Sequence, residues 1–149
     1  MKKLLTILLF LGIFGLTGCV NYKNEFDIGN ESEIEIVQNG VKLSFKENTL
    51  SPTGATLVLK NDMDVDIQYG NPYEIEIKKD GEWRKINVEL NFTLPAFSLK
   101  AKETVELNLN WKNGYGKLSS GNYRIIKQIS IEKEDGTFEN FYVSVEFNI

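Results

Sequence analysis

Hydrophobic positions along this chain fall into two regimes. Leu4 to Leu16 is an uncharged, largely apolar run of 13 residues, and nothing after it is comparable. Val20 to Glu31 is polar with isolated hydrophobes and no period, which predicts a flexible tether over 19–31. From Ser32 onward the period is two, the pattern of strands with one buried and one wet face. Ile34 and Ile36 alternate with Glu33 and Glu35, and Val41, Leu43 and Phe45 with Lys42, Ser44 and Lys46. Ala55, Leu57 and Leu59 continue the pattern, then Val65, Ile67 and Tyr69, then Tyr73, Ile75 and Ile77. Ile86, Val88 and Leu90 predict a further strand. Val105, Leu107, Leu109 and Trp111 form one face of another. A long strand over Tyr123 to Ile131 breaks pattern at Ile126-Lys127, where a bulge is expected. Phe141, Val143, Val145, Phe147 and Ile149 close the chain.

Turn chemistry separates these runs. Ser51-Pro52-Thr53-Gly54, Gly70-Asn71-Pro72, Asp80-Gly81 and Asp135-Gly136 all stand between them. In Asp-Gly pairs the glycine accepts the positive φ that a tight hairpin demands. No stretch after residue 20 keeps a helical period. Short strands at spacings of about 8 to 12 residues predict an all-β antiparallel sandwich of about 7–9 strands, one domain over 32–149.

The apolar run begins after Lys2 and Lys3 and ends at Leu16-Thr17-Gly18-Cys19, a secretory signal layout over 1–18. It is too short for a transmembrane helix, which needs about 20 apolar residues. The Leu-x-Gly-Cys ending resembles the bacterial lipobox. That resemblance implies a diacylglyceryl group on the Cys19 thiol and cleavage just before it. A single acyl chain holds a membrane only marginally, with about 0.8 kcal/mol per buried methylene, so a pair of chains matters. The expected location is the extracytoplasmic face of the cell membrane.

Composition narrows the chemistry. Cys19 is the only cysteine, so the exported body has no disulfide and depends on packing. The formal charge is −4, and the body without its two leading lysines is more acidic still. Such a surface is a poor partner for nucleic acid. The chain has no histidine, which removes the commonest general base near neutral pH, the Ser-His-Asp and Cys-His arrangements and nearly all Cys/His zinc sites. No cofactor is expected.

The most distinctive stretch is Asn108-x-Asn110-Trp111, followed by Tyr115-Gly116-x-Leu118-x-x-Gly121-x-Tyr123-Arg124-Ile125-x-Lys127. With Leu59-x-Asn61, Tyr69-Gly70-x-x-Tyr73-x-Ile75-Glu76 and Gly81-x-Trp83, it resembles a bacterial immunoglobulin-like domain found in small surface lipoproteins, over roughly Val41 to Phe147. The resemblance implies an immunoglobulin-like sandwich and carries over no catalytic residue. The layout also resembles the bacterial intracellular proteinase inhibitors, from which this chain departs by its export signal. Leu118 to Tyr123 has the form of a tyrosine corner, with the Tyr123 hydroxyl returning to backbone upstream. Trp111 is expected in the core.

Four groups carry candidate chemistry. Asp62, Asp64 and Asp66 stand two apart and would point one way in a strand, as a hard cation such as calcium requires. An acidic turn is the simpler reading, and no metal is assigned. An EF-hand is excluded, because Ile67 and Tyr73 occupy its sixth and twelfth positions. Glu74 and Glu76 could supply an acid and a base, but alternation with Ile75 and Ile77 turns them to solvent. Phe92, Leu94 and Phe97 flank Pro95, which bars a central strand, so this stretch either caps the core or offers an apolar edge to a partner. Trp83 breaks the register of Ile86 and Val88 and is either a core plug or an exposed anchor.

The sequence thus predicts a membrane-anchored, non-catalytic binding module. Its expected contacts are the membrane, through lipid on Cys19, and a protein or cell-envelope partner, through Trp83, Phe92, Leu94 and Phe97. The alternative is an inhibitor of a protease or cell-wall enzyme that offers the loop Lys112 to Lys117. A carboxylate-dependent hydrolase using Glu76 is less favoured.

Overall fold

The computed structural model describes residues 26–149. The expected signal segment and Cys19 lie outside the described residues. Among the described residues there are ten strands: β1 (Ile28–Glu31), β2 (Val41–Phe45), β3 (Gly54–Asn61), β4 (Ile67–Gly70), β5 (Glu74–Lys79), β6 (Glu82–Ile86), β7 (Ala96–Leu99), β8 (Thr104–Asn110), β9 (Asn122–Glu132) and β10 (Phe138–Asn148). They form two antiparallel sheets packed face to face, as the alternation predicts. The smaller has the order β2-β3-β8; the larger has the order β1-β6-β5-β9-β4-β7, with β10 on β9.

The core lies where the inward sets of both sheets meet. Leu57, Leu59, Ile67, Trp111, Tyr123, Ile125, Ile129 and Val143 are essentially inaccessible there. Trp111 donates its indole N–H to Pro52 O at 2.9 Å, and its ring lies 6.0 Å from that of Phe147. Tyr123 stacks on Phe147 and donates its hydroxyl to Ser119 O at 2.9 Å, the corner expected from sequence. Asp80 and Gly81 both take positive φ, 54° and 88°, and so join β5 to β6 by the tightest kind of hairpin.

Strand β9 is the spine. It pairs residue for residue with β10, from Asn122↔Asn148 to Glu132↔Phe138, so the bulge expected at Ile126-Lys127 is absent. The irregularity lies in the opposite neighbour. β5 pairs Tyr123 to Ile126, β4 pairs Ile129 and Ser130, and the register shifts between them at Gly70 to Tyr73. Pro72 has no N–H to give a ladder. The far edge breaks in the same way. β6 pairs β5 and β7 pairs β4, and residues 87–95 make an excursion outside any strand between them. Val88 and Leu90 therefore lie outside any strand, contrary to the sequence expectation.

The N-terminal expectation needs a further correction. Residues 28–31 are not tether but strand, because Phe26 packs against the core and Ile28 pairs Ile86. Ile34 and Ile36 are half-buried, and residues 32–37 cross the outer face of the larger sheet instead of forming a strand, touching it only through a single parallel bridge from Ile36 to Tyr142. Ser32 N–H bonds Trp83 O at one end, and Val37 N–H bonds Tyr142 O at the other, both at 2.8 Å.

Candidate functional site

The excursion between β6 and β7 positions most of the candidate contact residues. Val88, Leu90 and Phe92 recur every second residue and lean back onto the body, Phe92 placing its ring 5.2 Å from Tyr73. Asn71 Nδ2 donates to Thr93 Oγ1 at 2.8 Å and ties the excursion to the break between β4 and β5. Beyond that tie Leu94 is 87 % exposed, far more than any other large hydrophobe among the described residues. It stands over a concavity of about 200 Å³ walled by Pro72, Pro95 and Gln128. A second hollow of about 330 Å³, walled by Val88, Phe92, Ile126 and Tyr142, adjoins it and shares Pro72 and Gln128. Together they make one shallow apolar groove along the outer face of the larger sheet.

The four residues expected to bind do not converge. Leu94 stands at the groove and Phe92 forms its inner wall. Phe97 is half-exposed and packs on Tyr69 at 5.5 Å, on the inner side of β7. Trp83 lies elsewhere and is neither core plug nor free anchor. Its ring covers Arg124, with the guanidinium carbon 4.8 Å from the centroid, and Lys78 Nζ lies at 5.3 Å.

Under Trp83 is a feature that alternation misreads. Glu76 was expected in solvent; it is fully buried, because residues 32–37 and Trp83 roof the outer face there. Its Oε2 accepts from Arg124 Nε at 2.7 Å and from the other guanidinium nitrogen at 2.6 Å. Arg124 also donates to Ser32 Oγ at 3.3 Å, while Glu76 Oε1 has no partner. Glu74 on the same strand is exposed. The two carboxylates are thus an exposed one and a neutralised one, a poor acid–base pair.

The three aspartates separate rather than converge. Asp62 bonds Lys42 and Lys60 at 2.8 and 2.7 Å, Asp64 bonds Lys102 at 2.8 Å, and Asp66 bonds Lys100 at 2.8 Å. Hydrogen bonds from Lys42 and Lys60 hold the Asp62 carboxyl down at about 2. Among the described residues no group of three or more acidic, Cys or His side chains is placed to hold a metal ion. The reason is local: residues 62–66 turn rather than extend, so the side chains fan out toward different lysines.

The loop Lys112 to Lys117 turns inward at its centre. Burial holds the Tyr115 phenol far above its ordinary range, against the opposing pull of the Ile75 N–H, which its hydroxyl accepts at 2.8 Å. Lys127 is the least expected resident of the core. It is 2 % exposed and donates from Nζ to Gly70 O at 2.8 Å and Pro72 O at 3.0 Å. Burial pushes its amine down to about 8. The pattern break at Ile126-Lys127 was the sequence signal for this residue. It marked a cation on the core face rather than an extra residue in the strand.

The family model of a bacterial Ig-like domain matches residues 37–148. No curated protein and no solved structure matches the chain.

Proposed function

On the premise that the chain belongs to the bacterial Ig-like domain family, we propose that it is a lipid-anchored, non-catalytic binding module at the extracytoplasmic face of the membrane. Its protein partner docks on the groove beside Leu94. The observation that carries this reading is the exposure of Leu94 at the rim of an apolar groove, a position where a solvated side chain has no packing role. Absence of histidine from the chain and neutralisation of Glu76 by Arg124 support a role without catalysis. The lipobox-like Leu16-Thr17-Gly18-Cys19 supports the anchor.

Two substitutions test the two halves separately. Cys19→Ala releases the chain from the membrane fraction if lipid is the anchor; retention there ends that half. A photo-reactive residue at position 94 gives a discrete crosslinked product in intact cells. One at Ser44, exposed on the opposite sheet, gives none. Equal labelling from both positions removes the groove as the docking surface.

A further inference from the structure

The side of the sandwich where β7 and β8 face each other is an open seam. β8 ends its sheet and carries Val105, Leu107 and Leu109 inward, yet each is only partly buried, because β7 is short and does not cover them. Across the seam stand Tyr69 and Phe97. The space between has a volume of about 270 Å³, and Lys127 is part of its lining. Sandwich edges normally close with apolar side chains, so a lysine here is out of place.

Its surroundings lack a counter-ion. No carboxylate lies within ion-pair distance of Lys127 among the described residues. Glu106 also borders the space, but its carboxylate bonds Lys46 Nζ at 2.8 Å. The two acceptors of Lys127 are neutral carbonyls, and an ammonium has three donors. Burying a cation without an anion is costly, and a paired anion relieves that cost. The break between β4 and β5 creates the two carbonyls, and those fix Nζ at the seam.

We propose that this seam binds a small monocarboxylate with an apolar body, the carboxylate pairing with the Lys127 ammonium and the body lying between Phe97 and Leu107. The volume sets the size class. It falls just below the roughly 300 Å³ at which drug-sized sites begin, so the ligand is a compact acid rather than a long acyl chain or a peptide. This site shares only Tyr69 and Gly70 with the groove at Leu94 and does not depend on the anchor.

The test uses the full chain with 3-phenylpropionate as probe and its neutral amide, 3-phenylpropanamide, as control, read by amide NMR shifts. The acid is expected to shift Tyr69, Phe97 and Leu107 and to bind about tenfold tighter than the amide, the worth of one charge-assisted hydrogen bond. Lys127→Met abolishes that preference, and Leu107→Trp fills the seam and abolishes binding of both. If Lys127→Met fails to fold, the acid–amide comparison on the unaltered chain and the Leu107→Trp variant still decide. Equal binding of acid and amide, or no shift at these residues up to the solubility of the acid, overturns the proposal.

Discussion

Arg124→Met exposes how the Glu76–Arg124 pair works. Glu76 is fully buried and the Arg124 side chain is 9 % exposed, so this pair belongs to the interior regime rather than the surface one. Removing Arg124 strands a carboxylate under the roof of Trp83 and residues 32–37. Breaking a buried pair from one side costs about 3–5 kcal/mol, against about 0–1 for an exposed pair. The cation–π contact with Trp83 adds about 0.5–2 kcal/mol to the loss. Glu76→Leu combined with Arg124→Met behaves differently. It removes both charges and also the unpartnered Glu76 Oε1, which itself carries a desolvation cost of about 1–3 kcal/mol. The double variant is therefore expected within about 1 kcal/mol of the unaltered chain, or above it. Urea unfolding followed by tryptophan fluorescence, with Trp83 as a reporter beside the pair, measures Arg124→Met, Glu76→Leu alone and the double variant against the parent. At a few degrees of Tm per kcal/mol, the Arg124→Met loss amounts to roughly 10–20 °C. An Arg124→Met cost under about 1 kcal/mol, or additive single costs in the double variant, would falsify the buried-pair argument.

Tyr123→Phe keeps the ring stack on Phe147 and deletes the bond to Ser119 O together with the longer 3.4 Å contact to Ser119 Oγ, so a loss of about 0.5–1.5 kcal/mol is expected in the same assay. Gly54→Ala places a Cβ 2.5 Å from the Leu109 backbone oxygen across the β3–β8 ladder, and about 1–3 kcal/mol of strain follows. Gly114→Ala meets only the flexible tip of Leu90 and should cost less; the reverse order would contradict the placement of β3. Lys127 gives an unusual pH profile. Its amine falls from 10.5 to about 8 on folding, so between those values the unfolded chain holds a proton that the folded chain has lost. Stability then rises with pH from about 8 to about 10, by on the order of 3 kcal/mol. Urea midpoints across that window check it. A fall in the parent, or the same rise in Lys127→Met, would refute the assignment.

Strand content, the two-face alternation and the hairpins at Asp80-Gly81 and Asp135-Gly136 were legible because each is set by neighbours along the chain. Period two follows from the pleat, and positive φ follows from the side chain at the turn. The tyrosine corner and the burial of Trp111 were legible for the same reason, since both depend on short segments with their own chemistry. What alternation could not report is what lies above a sheet face. Glu76 reads as solvated from its own strand and is buried because a segment about forty positions earlier crosses over it. Likewise Asp62, Asp64 and Asp66 read as a cluster and are parted by lysines from three other segments.

By itself, then, the order of residues determined the class of fold, its turns and most of its inward set. Tertiary structure alone decided the coverage: β1 drawn in from the tether, the excursion that lifts Leu94 into solvent, and Lys127 held in the seam by carbonyls freed at Pro72. Burial of a charge depends on which distant segments pack over it, and that information is carried by no single stretch of sequence.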